Sequence, residues 1–111
     1  MIKAEKCIYL GAMDASKPTI TLLREGTMYK GDVLVGISTS GNSGNIVKAF
    51  EMAASMGVIT VGFTGANGGK MKNMANYLIN VPSNTTPRIQ ESHILVGHII
   101  CELVEENIFG K

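Results

Sequence analysis

Apolar and polar positions along the chain fall into blocks of two kinds. Val33, Leu34, Val35 and Ile37 form a short apolar run, followed at once by Ser38, Thr39, Ser40, Gly41, Asn42 and Ser43. An unbroken β-branched run of that length is what a parallel strand covered on both faces presents. The period then changes to that of a helix, with Ile46, Val47, Phe50, Ala53 and Ala54 on one face and Lys48, Glu51 and Ser55 opposite. Ser43 stands where an N-cap belongs and Gly57 where a helix stops. The runs 7–10, 58–63 and 77–81 read as three further strands, the last closed by Pro82. Ser16 with Pro18 predicts a short helix ending at Gly26, and Lys70 to Ala75 a single helical turn. The longest helical pattern runs from Arg88 to Phe109, with Ile89, Val96, Ile99, Ile100, Leu103, Val104 and Ile108 as the face expected on the sheet.

Strands alternating with helices imply a parallel sheet with right-handed crossovers. The expected fold is therefore α/β in three layers, a sheet of about four strands with helices on both faces. Its 111 residues, 45% of them hydrophobic, suit a single domain, residues 1–111, with a real core. No internal repeat or interdomain linker interrupts it.

The formal net charge is only +1, and the ten lysines and arginines are not clustered, so no nucleic-acid partner is expected. Cys7 and Cys101 lie in apolar segments at no metal-like spacing and read as reduced core thiols. With no signal segment and no apolar run long enough for a bilayer, a cytoplasmic protein without a membrane partner is expected.

Ligands of such sheets bind at the carboxyl ends of the strands. There the turn after Ile37 puts four hydroxyls within six positions (Ser38, Thr39, Ser40 and Ser43), together with Gly41 and Gly44, at the start of a helix. Backbone N–H groups and the positive end of the helix dipole suit an anion, glycine permits its close approach, and hydroxyls donate without adding charge. The expectation is a phosphate cradle. It is not a nucleotide P-loop: in the stretch from Gly65 to Met71 the spacing ahead of Gly69-Lys70 is one residue short, and Met71 has no hydroxyl for magnesium. On the last helix Glu91, His98, Glu102 and Glu105 fall close to one line. Spacing alone makes His98 a solvated helix histidine. Gly97 beside it costs the helix about 1 kcal/mol relative to alanine, which suggests a close approach there.

The residues Gly31-Asp32-Val33-Leu34, Gly36 to Ser43, Thr64-Gly65 with Gly68-Gly69-Lys70, Val81-Pro82, and Arg88-Ile89-Gln90-Glu91 followed by His93 and His98 resemble the phosphoheptose isomerases, a branch of the sugar isomerase (SIS) domain family. The resemblance covers residues 31–106. It implies that Ser38, Thr39, Ser40 and Ser43 hold a sugar phosphate, that Gln90 is a substrate or metal ligand, and that His98 is a catalytic acid/base. Zinc is the metal it suggests, with Gln90 and His98 as candidate ligands. His93 receives no role and reads as another solvated histidine.

Residues 1–30 depart from that family. Its Asn-Gly-Gly-Ser loop is replaced by Gly11-Ala12-Met13-Asp14-Ala15-Ser16, and its N-terminal histidine is absent, because His93 and His98 are the only two histidines. Aligning Ser16 with the loop serine puts Leu22 at the histidine and Glu25 at the family's glutamate, and deletes the second strand. In a flavodoxin-like order of 2-1-3-4-5 that strand is an edge, so its loss leaves the other four intact. Two functions follow. One is an aldose-ketose isomerase converting sedoheptulose 7-phosphate to the aldose heptose phosphate; the other is a non-catalytic phosphosugar-binding or assembly module. Gln90 and His98 are eight residues apart, about 12 Å along a helix, so a complete site is expected to be shared within a homo-oligomer, a dimer or tetramer.

Overall fold

The computed structural model describes residues 30–110 and the backbone of residues 8–11. The helix expected over 16–26, Cys7, Leu22 and Glu25 lie outside the described residues. The elements are β1 (Ile8–Gly11), β2 (Val33–Ile37), α1 (Gly44–Met56), β3 (Ile59–Thr64), a 3₁₀ turn (Gly69–Asn73), β4 (Tyr77–Asn80) and α2 (Thr86–Phe109). The four strands are parallel in the order β1-β2-β3-β4, with Leu10 beside Val35, Val35 beside Val61 and Val61 beside Tyr77.

Side chains alternate across this sheet and give it two dissimilar faces. Leu34 on one face packs with Ile46, Ala49, Phe50 and Ala53 of α1, and with Val58 and Met71. Gly36 brings α1 close, since a Cβ there would stand 2.6 Å from the Phe50 ring. α1 begins after Ser43 and ends at Gly57 in the left-handed conformation (φ 74°), whose N–H reaches the helix's last turn. Asn76 anchors β3 ahead of β4, its Oδ1 accepting from the Thr60 N–H at 2.9 Å.

The other face, with Val35, Ile37 and Phe63, belongs to α2, which completes the three layers. Only Ile89 and His93 of this helix are buried; Ile99, Leu103 and Ile108, expected on the sheet, are exposed. The sheet-facing stripe of α2 runs through His93, Ile100 and Val104, which line a groove with Val35, Ile37 and Phe63, whereas Ile99 and Leu103 each stand about 100° round the helix from Ile100 and Val104. Cys101 is exposed, not a core thiol. Among the described residues no close approach explains Gly97, because a Cβ there would meet none of their atoms within 4 Å. Among the described residues no helix is long and apolar enough to cross a membrane.

Candidate functional site

The turn from Ser38 to Ser43 leaves the carboxyl end of β2 and runs directly into α1. Ser38 is completely buried. Its Oγ accepts from the Gly41 N–H at 3.1 Å and the Ser43 N–H at 3.4 Å, and lies 2.9 Å from Ser43 Oγ. Ser38 therefore shapes the turn from within. Ser40 is exposed, and its Oγ accepts from the Asn42 N–H at 3.1 Å. At the N-terminus of α1 no side chain caps the helix and its first turn holds no acidic residue, so the positive end of its dipole is not neutralised from within.

A second loop, from Gly65 to Gly69, is stitched against this turn. The Gly65 N–H donates to the Thr39 carbonyl at 2.9 Å, the Met71 N–H to the Gly41 carbonyl at 3.0 Å, and the Lys70 N–H to Asn42 Oδ1 at 2.8 Å. Contact is backbone on backbone: a Cβ on Gly69 would sit 2.4 Å from the Ser40 carbonyl oxygen. A third segment joins through the Ala66 N–H, which donates to the Ser83 carbonyl at 3.2 Å. Between the three lies a cleft of about 290 Å³ lined by Thr39, Ser40, Asn42, Ala66, Asn67, Ser83, Asn84, Thr86 and Ile89. Among the described residues none of these side chains is charged, and hydroxyls, amides and the helix dipole are what they offer an anion.

The candidate residues of α2 lie elsewhere. Neither Gln90 nor His98 lines the cleft, and both are exposed. His98 borders an apolar groove with Val35, Ile37, Phe63 and His93, beneath the outer half of α2. His93, read from the sequence as solvated, is 3% exposed. Its Nε2–H donates to the Thr64 carbonyl at 2.9 Å, and its ring lies 5.6 Å from that of Phe63. The Thr64 carbonyl also accepts from the Val81 N–H at 3.0 Å, so His93 ties α2 to the ends of β3 and β4. Its position four residues after Ile89 was the available signal, since i and i+4 share a helix face.

A tetrahedral zinc site needs four donors that converge. Among the described residues no three His, Cys, Asp or Glu side chains are grouped to supply them, and Gln90 and His98 are two turns apart. These residues do not by themselves fit zinc.

The different parts played by Ser38 and Ser40 predict different variants. Ser38→Ala removes an acceptor shared by the Gly41 and Ser43 N–H groups, of which Gly41 keeps the Ser38 carbonyl, and should lower stability by about 1–3 kcal/mol, whereas Ser40→Ala should leave the melting temperature unchanged. Thermal denaturation of the two variants checks this; equal melting would remove Ser38 as the internal brace of the turn.

Residues 15–65 match the model of the SIS domain family, and the chain is similar to phosphoheptose isomerases. It is 65% identical over 80 residues to that of Aneurinibacillus thermoaerophilus, covering 72% of this chain and 40% of the relative. It is 60% identical over 82 residues to phosphoheptose isomerase 2 of Campylobacter jejuni, covering 74% and 41%. The solved phosphoheptose isomerase of Neisseria gonorrhoeae superposes with a TM-score of 0.71 at 42% identity, over 78% of this chain and 48% of that one. That of Francisella tularensis, at 22% identity, shares the fold with a TM-score of 0.71 over 91% of this chain and 76% of its own. The chain thus spans about two fifths of the length of the curated relatives it matches.

Proposed function

We propose that the chain binds a sugar phosphate in the cleft, with the phosphate against Ser38–Ser43, and takes part in the aldose-ketose isomerisation of a seven-carbon sugar phosphate, sedoheptulose 7-phosphate. The observation that carries this reading is the turn itself, which sets four hydroxyls before the uncapped N-terminus of α1 and brings two of them, Thr39 and Ser40, to the wall of the cleft. The similarity to phosphoheptose isomerases supports the choice of substrate.

The reaction requires a base that removes the proton from the hydroxyl-bearing carbon beside the carbonyl, and an acid that protonates the carbonyl oxygen to give an enediol. It then requires return of a proton to the former carbonyl carbon, and loss of the proton from the other enediol hydroxyl, which becomes the new carbonyl. His98 is the acid/base candidate. Ile89 lines the cleft and His98 lies nine residues further along α2, about 13 Å along its axis. On this reading His98 and Gln90 serve the cleft of another copy in a homo-oligomer. No step is drawn through zinc. The same separation also favours a second reading, a phosphosugar-binding module without chemistry, and turnover distinguishes the two. Incubating the protein with sedoheptulose 7-phosphate should yield the aldose heptose phosphate. Calorimetry should give tighter binding of the phosphorylated than of the free sugar, and Ser40→Ala should weaken it about tenfold, the loss of one charge-assisted hydrogen bond. Equal affinity for the phosphorylated and free sugars would overturn the proposal.

A further inference from the structure

The two walls of the cleft differ in hydrogen-bonding chemistry. On the α1 side stand the hydroxyl turn and Asn42, whose Oδ1 is already taken by the Lys70 N–H. On the other two segments, joined to each other through the Ala66 N–H and the Ser83 carbonyl, stand Asn67, Ser83 and Asn84. The carboxamides of Asn67 and Asn84 are exposed to the cleft and make no hydrogen bond within the described residues, while Ser83 Oγ accepts from the Thr85 N–H at 3.0 Å and keeps its own proton to donate. A phosphate dianion accepts hydrogen bonds and offers none, so it needs a wall of donors. A sugar hydroxyl both donates and accepts, and the carboxamide is the uncharged side chain that answers with two donors and an acceptor.

We infer that Asn67 and Asn84 form a polyol-reading wall: they bind the hydroxyls of the sugar chain while its phosphate lies on the hydroxyl turn, and so determine which phosphorylated compounds the cleft accepts. The inference rests on the sugar-phosphate reading of the cleft and adds to it the direction in which the ligand lies. The wall is held in place without its side chains, because Gly65, Ala66 and Ser83 are fixed through backbone hydrogen bonds. Neither carboxamide supports the fold, so both can be removed without disturbing it.

The test uses the full chain, sedoheptulose 7-phosphate and inorganic phosphate, with binding measured by calorimetry and folding by circular dichroism. In the parent protein the sugar phosphate should bind more tightly than phosphate. Asn67→Ala with Asn84→Ala should weaken the sugar phosphate about tenfold or more and leave inorganic phosphate unchanged, whereas Ser40→Ala should weaken both. An unchanged affinity for the sugar phosphate in the double variant, with Ser40→Ala still weakening it, overturns the wall and leaves the phosphate turn standing. Equal loss for both ligands overturns the assignment of the walls. Failure of the parent protein to bind either ligand overturns both the wall and the sugar-phosphate reading beneath it.

Discussion

Gly41→Ala is expected to cost at least about 3 kcal/mol of stability and to abolish phosphate binding. Gly41 has a φ of +73°, where alanine is strained by about 1–2 kcal/mol. The steric problem is greater. A Cβ there would lie 2.0 Å from the Gly68 carbonyl oxygen and 2.4 Å from its carbon, and backbone cannot rotate away as a side-chain tip can. The turn and the 65–69 loop must separate, with loss of the bonds from the Met71 N–H to the Gly41 carbonyl and from the Lys70 N–H to Asn42. Against a total of about 5–15 kcal/mol for an ordinary domain, that is a large fraction. Gly44→Ala is the control: it opens α1 with nothing within 4 Å of its Cβ and should be neutral or slightly stabilising. Denaturant melts of the two variants, with phosphate titrations, check the prediction. Parent-like stability in Gly41→Ala would show that the two loops do not meet as described.

The second large effect concerns chemistry. If the proposed isomerase activity is present, His98→Asn should lower kcat about a hundredfold or more with little change in sugar-phosphate affinity. Stability should hold, because the side chain is exposed. Mixing His98→Asn with Ser40→Ala copies separates a shared site from a self-contained one: if His98 works in a neighbour's cleft, mixed oligomers at low substrate concentration are more active than the average of the two variants. Light scattering should show a dimer or larger. A monomer that retains full turnover would remove the shared arrangement, and parent-like kcat in His98→Asn would remove His98 from the mechanism.

The strands were legible because each is a short, predominantly apolar segment bounded by glycine, proline or a polar turn. β2 begins and ends where its run does, and α1 runs between Ser43 and Gly57 as its caps imply. Legibility failed on α2. Ile99 and Leu103 are exposed while their neighbours Ile100 and Val104 line the groove over the sheet, since an apolar stripe this broad does not say which of its edges is covered. His93 was missed for a related reason. Histidine is as much at home on a solvated face as in a core, and only the Thr64 carbonyl, 29 residues earlier, decides which. The hydroxyl turn was visible as a chemical pattern, but the division between the buried Ser38 and the exposed Ser40 arises from hydrogen bonds that close the turn on itself. Asn67 and Asn84 carried no signal, because their relation to the turn depends on three segments meeting in space.

The doubly engaged carbonyl of Thr64 makes a mechanical unit of parts that the chain keeps far apart. One oxygen receives the Val81 N–H from the end of β4 and the His93 imidazole from the second turn of α2. Val81 leads to Ser83 and Asn84 on the cleft wall, and His93 stands between Gln90 and His98 on the helix. Tilting the start of α2 would therefore pull on the same oxygen that holds the cleft wall. Pressure on the exposed outer half of the helix works as on a lever, with its fulcrum at Thr64 and its short arm ending in the cleft.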